Sequence, residues 1–112
     1  MESLRPVEFH VLLALAPGPS HGYALVGRIA EESEGRYRVL PGNLYAVIRR
    51  LADDGLVRES ARPPADGEDS RRRYFELTPS GRSLLAREAR HMEHLVERLR
   101  GLQHASEETS HS

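Results

Sequence analysis

The run Pro41-Gly42-Asn43-Leu44-Tyr45-Ala46-Val47-Ile48-Arg49-Arg50-Leu51-Ala52-Asp53-Asp54-Gly55 carries the clearest structural message in the chain. Pro41 suits a first helical turn, where its missing N–H would be unpaired in any case. Leu44, Val47, Ile48 and Leu51 recur at three- and four-residue intervals and predict one apolar stripe. Gly55, after Asp53-Asp54, suits the left-handed residue that ends a helix. Asn43, Tyr45, Arg49 and Arg50 lie off the stripe, and Gly42 permits close approach of another backbone. The segment therefore predicts a helix held by one face and offering amide, phenol and guanidinium groups on the other.

Two helices are expected before it. Pro6 opens the first, in which Val7, Val11, Ala14 and Leu15 keep a helical spacing and Phe9, Leu12, Leu13 and Ala16 widen the apolar surface. A helix apolar over so much of its circumference is expected to be buried, partly against another chain. Pro17-Gly18-Pro19 ends it. Ser20 or His21 is expected to start the second helix, with Tyr23, Leu25, Val26, Ile29 and Ala30 facing inward. Glu31, Glu32 and Glu34 oppose the helix dipole at its far end, and Gly35 stops it. An extended link, Arg36 to Leu40, leads into the helix at Pro41.

Beyond Gly55, Leu56 to Arg62 and Arg72 to Leu77 read as strands, separated by the turn formers Pro63 to Ser70. Phe75 and Leu77 alternate with Tyr74 and Glu76, as one sheet face requires. Thr78-Pro79 signals another helix start, a hydroxyl cap followed by proline. That helix is expected from Pro79 to about Leu102, with Gly81 a mild weak point. Leu85, Met92, Leu95, Leu99 and Leu102 form a narrow seam on an otherwise charged surface, a pattern that suits a helix–helix interface. The sequence predicts a mainly α fold with a small β-hairpin. Residues 1–78 would form a winged helix-turn-helix of three helices and a two-stranded wing. Residues 79–104 would form a C-terminal dimerisation helix, and residues 105–112 a disordered tail.

The chain has 112 residues, enough for one domain with a limited core, so its stability is expected to lean on a partner subunit. It has no cysteine, which removes disulfides, thiolate metal sites and a cysteine nucleophile. No apolar run approaches the roughly 20 residues that span a bilayer. The longest, Val11 to Ala16, lacks the flanks of a secretory leader, so the expected location is cytoplasmic. The net charge of −1 hides a local asymmetry. Apart from histidine, all 16 basic residues are arginine, and between Glu34 and Asp53 every charge is one: Arg36, Arg38, Arg49 and Arg50. Arg71-Arg72-Arg73 follows the acids Asp66, Glu68 and Asp69. Local positive charge is what releases counterions from a nucleic-acid backbone.

The second helix of a helix-turn-helix pair enters the major groove, and its early residues come closest to the bases. Here those are Gly42, Asn43 and Tyr45. Asparagine pairs with adenine through two bonds, tyrosine reaches a phosphate, and Arg49 would reach the backbone or a guanine. The plainer alternative has Asn43 capping the helix and Tyr45 packing on the surface. Arg72 and Arg73 are expected on phosphates, against the alternative of a solvated loop whose charges pair internally. His91 and His94, with Glu88 one turn earlier, have a metal-compatible spacing, but such spacings arise easily on charged helices, and no metal or cofactor is expected. His10 and His21 read as structural. No catalytic constellation stands out, so an enzyme is not expected. Two functional readings remain: a DNA-binding regulator, and a winged-helix adaptor for another protein. The one-signed segment from Arg36 to Arg50 favours the first.

Leu12-Leu13-Ala14-Leu15, Gly18-Pro19-Ser20-His21-Gly22-Tyr23, Pro41-Gly42-Asn43-Leu44-Tyr45, Gly55-Leu56-Val57 and Tyr74-Phe75-Glu76-Leu77-Thr78-Pro79-Ser80-Gly81-Arg82 together resemble the PadR family of bacterial transcription regulators. The resemblance implies a homodimeric repressor on a palindromic double-stranded operator, and the single last helix is similar to that of the smaller members. It implies the recognition-helix role for Gly42, Asn43, Tyr45 and Arg49 and the wing role for Arg72 and Arg73. Phe9, Leu13, Met92, Leu95, Val96 and Leu99 would carry the dimer. It also implies a small hydrophobic or aromatic effector, for which Phe9, Met92 and Val96 are the candidate lining. The chain has no tryptophan, so a stacking mode built on that residue is not expected.

Overall fold

Proline marks where helices begin. Pro6, Pro41 and Pro79 each occupy the first position of one in the computed structural model, which describes residues 4–61 and 72–110. Helix α1 spans Pro6–Leu15, α2 Gly22–Glu32, α3 Pro41–Asp53 and α4 Pro79–Ser110. Three short strands, β1 (Ser20–His21), β2 (Val57–Glu59) and β3 (Tyr74–Leu77), form an antiparallel sheet in the order β1-β3-β2. The expected hairpin is present, with Val57 opposite Leu77 and Glu59 opposite Phe75. The three helices and the hairpin make a winged helix. The wing tip, with Arg71 and the acids before it, lies outside the described residues.

Three expectations change. Ser20 does not begin α2, and His21 serves it only as its cap. They pair with Phe75 and Tyr74 as a third strand, because β3 offers an edge that β2 leaves free. Tyr23 does not face inward: it is 74% exposed, because it lies on the side of α2 away from the buried Leu25 and Ile29. And α4 continues past Leu102 to Ser110, through residues placed in the expected tail. Ala105 and two glutamates are good helix formers once a long helix is already nucleated.

The core follows the predicted stripes. Leu44, Val47, Ile48 and Leu51 of α3 meet Val11, Leu12 and Leu15 of α1 and Leu25 and Ile29 of α2, all buried. Phe75 and Leu77 cover this cluster from the sheet, and Leu84 and Leu85 from the first turns of α4. Each such side chain contributes about 1.5–3 kcal/mol of burial.

Gly81 has a different role from the weak point expected. It is buried, and a Cβ there would run into the Leu56 carbonyl, 2.9 Å from its carbon. Thr78 completes the joint. Its hydroxyl donates to the Gly55 carbonyl at 2.6 Å and accepts from the Gly81 N–H at 3.0 Å. One residue thus caps α4 and ties it to the turn after α3, whose Gly55 has the left-handed φ of 76° predicted for it.

The second half of α4 leaves the core. The radius of gyration is 17.7 Å, with a longest extent of 66 Å. A compact chain of this length would have a radius of about 13 Å.

Candidate nucleic-acid interface

Helix α3 presents the surface its sequence promised. Gly42, Asn43, Tyr45 and Arg49 are exposed, while the apolar stripe holds the helix down. The cap residue is Leu40, which makes no side-chain cap bond, so Asn43 is not consumed as a cap. A Cβ at Gly42 would meet nothing within 4 Å among the described residues, so no internal packing demands glycine there.

Tyr45 plays two parts. Its ring packs edge-on against Phe75 of β3, with centroids 6.2 Å apart. Its hydroxyl fills the space left by Gly22, where a Cβ would come within 2.7 Å of it. The ring is nonetheless 39% exposed. The plainer alternative for this residue is thus partly right, and the phenol is held in one place at the head of α3.

The arginines divide by partner. Arg36, Arg38 and Arg49 are exposed and form no ion pair among the described residues. Arg50 turns back to Glu8 of α1 at 3.7 Å, and Arg58 pairs with Glu76 across the wing at 3.0 Å. Arg73 also has a wing partner. It donates to Glu59 through Nη2 at 3.1 Å and Nε at 3.3 Å and lies 5.3 Å over the Phe75 ring. Those hydrogen bonds, and the Glu59 charge behind them, raise the Arg73 pKa further. The internal charge pairing considered for the wing therefore exists at this residue. An exposed pair of this kind is weak and is easily exchanged for a phosphate.

Arg72 sits at the other edge of the sheet. Its Nη1 is 3.1 Å from His21 Nε2 and 3.4 Å from Nδ1, and its guanidinium is 5.7 Å from the centre of the Tyr23 ring. His21 is structural, as expected: its Nδ1 accepts the Ala24 N–H at 3.1 Å and so caps α2. Tyr23 is a surface residue that spacing alone misassigned. The signal that could have placed it was the four-residue spacing of Leu25 and Ile29, a face that Tyr23 does not share. A cleft of about 510 Å³ separates α3 from the wing, lined by Tyr45, Arg49, Glu59, Arg73 and Phe75 among others.

Of the residues expected at a dimer contact, the structure brings Phe9, Met92 and Val96 together. Leu13 is 36% exposed, and Met92, Leu95, Val96 and Leu99 are 42–56% exposed along α4. Phe9 is half-buried and shares a groove with Met92 and Val96. Among the described residues no group of histidines and carboxylates is arranged to hold a metal, Glu88, His91 and His94 included. Among the described residues no helix is long and apolar enough to cross a membrane.

Comparison with known proteins agrees with this architecture. The profile of the transcriptional regulator PadR-like family matches residues 11–87. The transcriptional regulator Rv3488 of Mycobacterium tuberculosis is 35% identical over 95 residues, 85% of this chain and 83% of that protein. An uncharacterised 37.1 kDa protein of a Streptomyces fradiae transposon is 46% identical over 89 residues, covering 80% of this chain but only 24% of that protein. The crystal structure of Bacillus subtilis PadR in complex with operator DNA superposes with a TM-score of 0.62 at 22% identity, over 76% of this chain and 47% of that one. The helices, the wing and the matched profile together place this chain in the PadR-like family of transcriptional regulators.

Proposed function

We propose that two copies of this chain form a repressor that binds a palindromic DNA operator, with α3 of each copy in a major groove. The observation that carries this reading is the outer face of α3. It offers an open backbone at Gly42, an uncommitted amide at Asn43 and an unpaired guanidinium at Arg49, on a helix whose other face is locked into the core. Arg36 and Arg38, just before α3, supply further uncompensated charge for phosphates. Arg72 and Arg73 flank it on the wing. Bacillus subtilis PadR, similar in fold, is known in complex with operator DNA, which supports DNA as the partner here.

The dimer is supported by the exposed row on α4. Met92, Leu95, Val96 and Leu99 face solvent in a single chain, which a soluble monomer rarely allows along one continuous stripe. Phe9 and Leu13 of α1 would complete the contact, so the groove of Phe9, Met92 and Val96 is read as packing surface.

Selection of genomic fragments on the purified protein tests the reading. Retained fragments should share an inverted repeat whose half-sites are about 34 Å, one helical turn, apart or a multiple of that. Arg49→Ala should weaken binding to them while the dimer persists. If no fragment is retained, the adaptor reading takes its place.

A further inference from the structure

Leu40 stands where local chemistry favours a different residue. It precedes the first turn of α3, with φ −70° and ψ 146°, and is 68% exposed. Serine, threonine, asparagine and aspartate are preferred at that position, because their side chains accept a free backbone N–H of the first turn. Leu40 makes no such bond. Nor does it join the core, which takes Tyr37 and Val39 from the same link. The leucine thus forgoes a cap and leaves an apolar side chain in water, and no core contact offsets either cost. A position that breaks a local rule without a packing gain is where function is expected.

Its surroundings indicate what it touches. Along the link, the half-buried Tyr37 and Val39 alternate with Arg36, Arg38 and Leu40, all exposed. In an extended chain that alternation puts Leu40 on the same side as the two arginines. Both guanidiniums form no ion pair among the described residues. The Leu44 N–H donates to the Leu40 carbonyl at 2.9 Å, so Leu40 is fixed to the start of α3. The cap residue and the third residue of a helix are side-chain neighbours, which sets Leu40 beside Asn43. The outer surface here therefore carries charges suited to phosphates, an amide suited to a base edge, and one apolar group between them. The edges of base pairs in the major groove offer one apolar feature, the 5-methyl group of thymine.

We infer that Leu40 is a specificity-determining residue that packs on the 5-methyl group of a thymine in each operator half-site, next to the base met by Asn43. The inference rests on the operator-binding reading and adds a base to it. A docked protein fits the surface less well, since one leucine among arginines is too small an apolar patch to hold one.

The duplex for the test is the inverted repeat recovered by selection on the wild-type protein. It is resynthesised with deoxyuridine in place of thymidine, one position of each half-site at a time. Deoxyuridine pairs as thymidine does and lacks only the methyl group. At one position the change should weaken binding by the full chain about fourfold per half-site, the effect of one buried carbon. Leu40→Ala should bind the unmodified duplex more weakly by a similar factor and show no further loss with deoxyuridine. Arg38→Ala should weaken both duplexes equally and keep the methyl effect. Leu40→Ser supplies a capping hydroxyl, so it should raise the melting temperature and still lose the methyl effect. Retained DNA with no methyl-sensitive position, or a methyl effect that survives in Leu40→Ala, overturns the assignment and leaves the repressor reading standing. A melting temperature lowered by Leu40→Ser makes the leucine a structural residue and overturns it as well. A wild type that retains no DNA sinks the repressor reading and this inference with it.

Discussion

Tyr45 occupies the space that a side chain at Gly22 would need: a Cβ at position 22 would lie 2.7 Å from the Tyr45 hydroxyl oxygen and 2.9 Å from Cζ. The His21-Gly22-Tyr23 turn and the Gly42-Asn43-Leu44-Tyr45 helix start, distant in sequence, are therefore two halves of one contact. The spacing between α2 and α3 is set there. Gly22→Ala should displace the Tyr45 ring and destabilise the fold by about 1–3 kcal/mol, the usual cost of overpacking. Adding Tyr45→Ala should recover most of that loss. A double-mutant cycle by urea denaturation should show coupling of about 1 kcal/mol or more, and strict additivity would mean that the contact carries no energy.

Gly81→Ala should be more damaging, although alanine ordinarily favours a helix by about 1 kcal/mol over glycine. The added carbon would press on the Leu56 backbone, which cannot rotate away as a side chain does. A loss of about 3 kcal/mol or more is expected, read as a lower denaturation midpoint. A stabilised variant would show that α4 can lift from the β2 turn at little cost.

Gly42→Ala separates folding from binding. With open space around Gly42, stability should stay level or rise slightly. Operator affinity should fall by about tenfold or more if a DNA backbone or base comes as close as the bare glycine permits. Thermal melting and a gel-shift titration on the same preparation decide it. Unchanged affinity would place the DNA elsewhere.

The wing should respond to salt. Glu59→Gln removes the carboxylate that holds Arg73 and should tighten binding to DNA of any sequence. The slope of log affinity against log salt should steepen by up to about one unit as a further phosphate contact becomes available. Arg49→Ala should make the slope shallower by a similar amount. A Glu59→Gln protein with an unchanged slope would mean that Arg73 remains off the phosphates.

Glu32 gives a pH test. Its carboxyl is raised mainly by burial, so the folded state binds its proton more tightly than the unfolded chain does. Ionisation therefore costs stability, and the cost appears as pH rises past the ordinary carboxylate range. Glu32→Gln should raise the melting temperature at neutral pH and have little effect at pH values below that range. A gain that persists in acid would mean that the charge is not the cause.

Leu95→Asp should dissociate the proposed dimer, since a carboxylate in an apolar seam costs several kcal/mol if unpaired. Sedimentation of the wild type and the variant at micromolar concentration reads this directly. A wild type that sediments as a monomer would remove the dimer from the account.

What the sequence determined by itself was most of what local periodicity sets. The stripes Leu44-Val47-Ile48-Leu51 and Phe75-Leu77, the proline helix starts, the Gly55 turn and the Thr78 cap are properties of neighbouring residues and appear where expected. The outward set of α3 was legible for the same reason, because residues off a stripe on a packed helix must face away. What only the tertiary structure decided were relations across the chain. Ser20 and His21 became a strand because β3 offered an edge to pair with, and a two-residue segment has no pattern of its own to announce this. Tyr23 turned outward because it lies off the face that Leu25 and Ile29 bury. Gly81 proved to be a contact with a backbone 25 residues earlier, between positions 81 and 56. Arg73 was claimed by Glu59 and Arg49 was left free, although both look alike as charges in a row. Periodicity reports which face a residue takes on its own element; which atoms meet that face depends on how the elements pack.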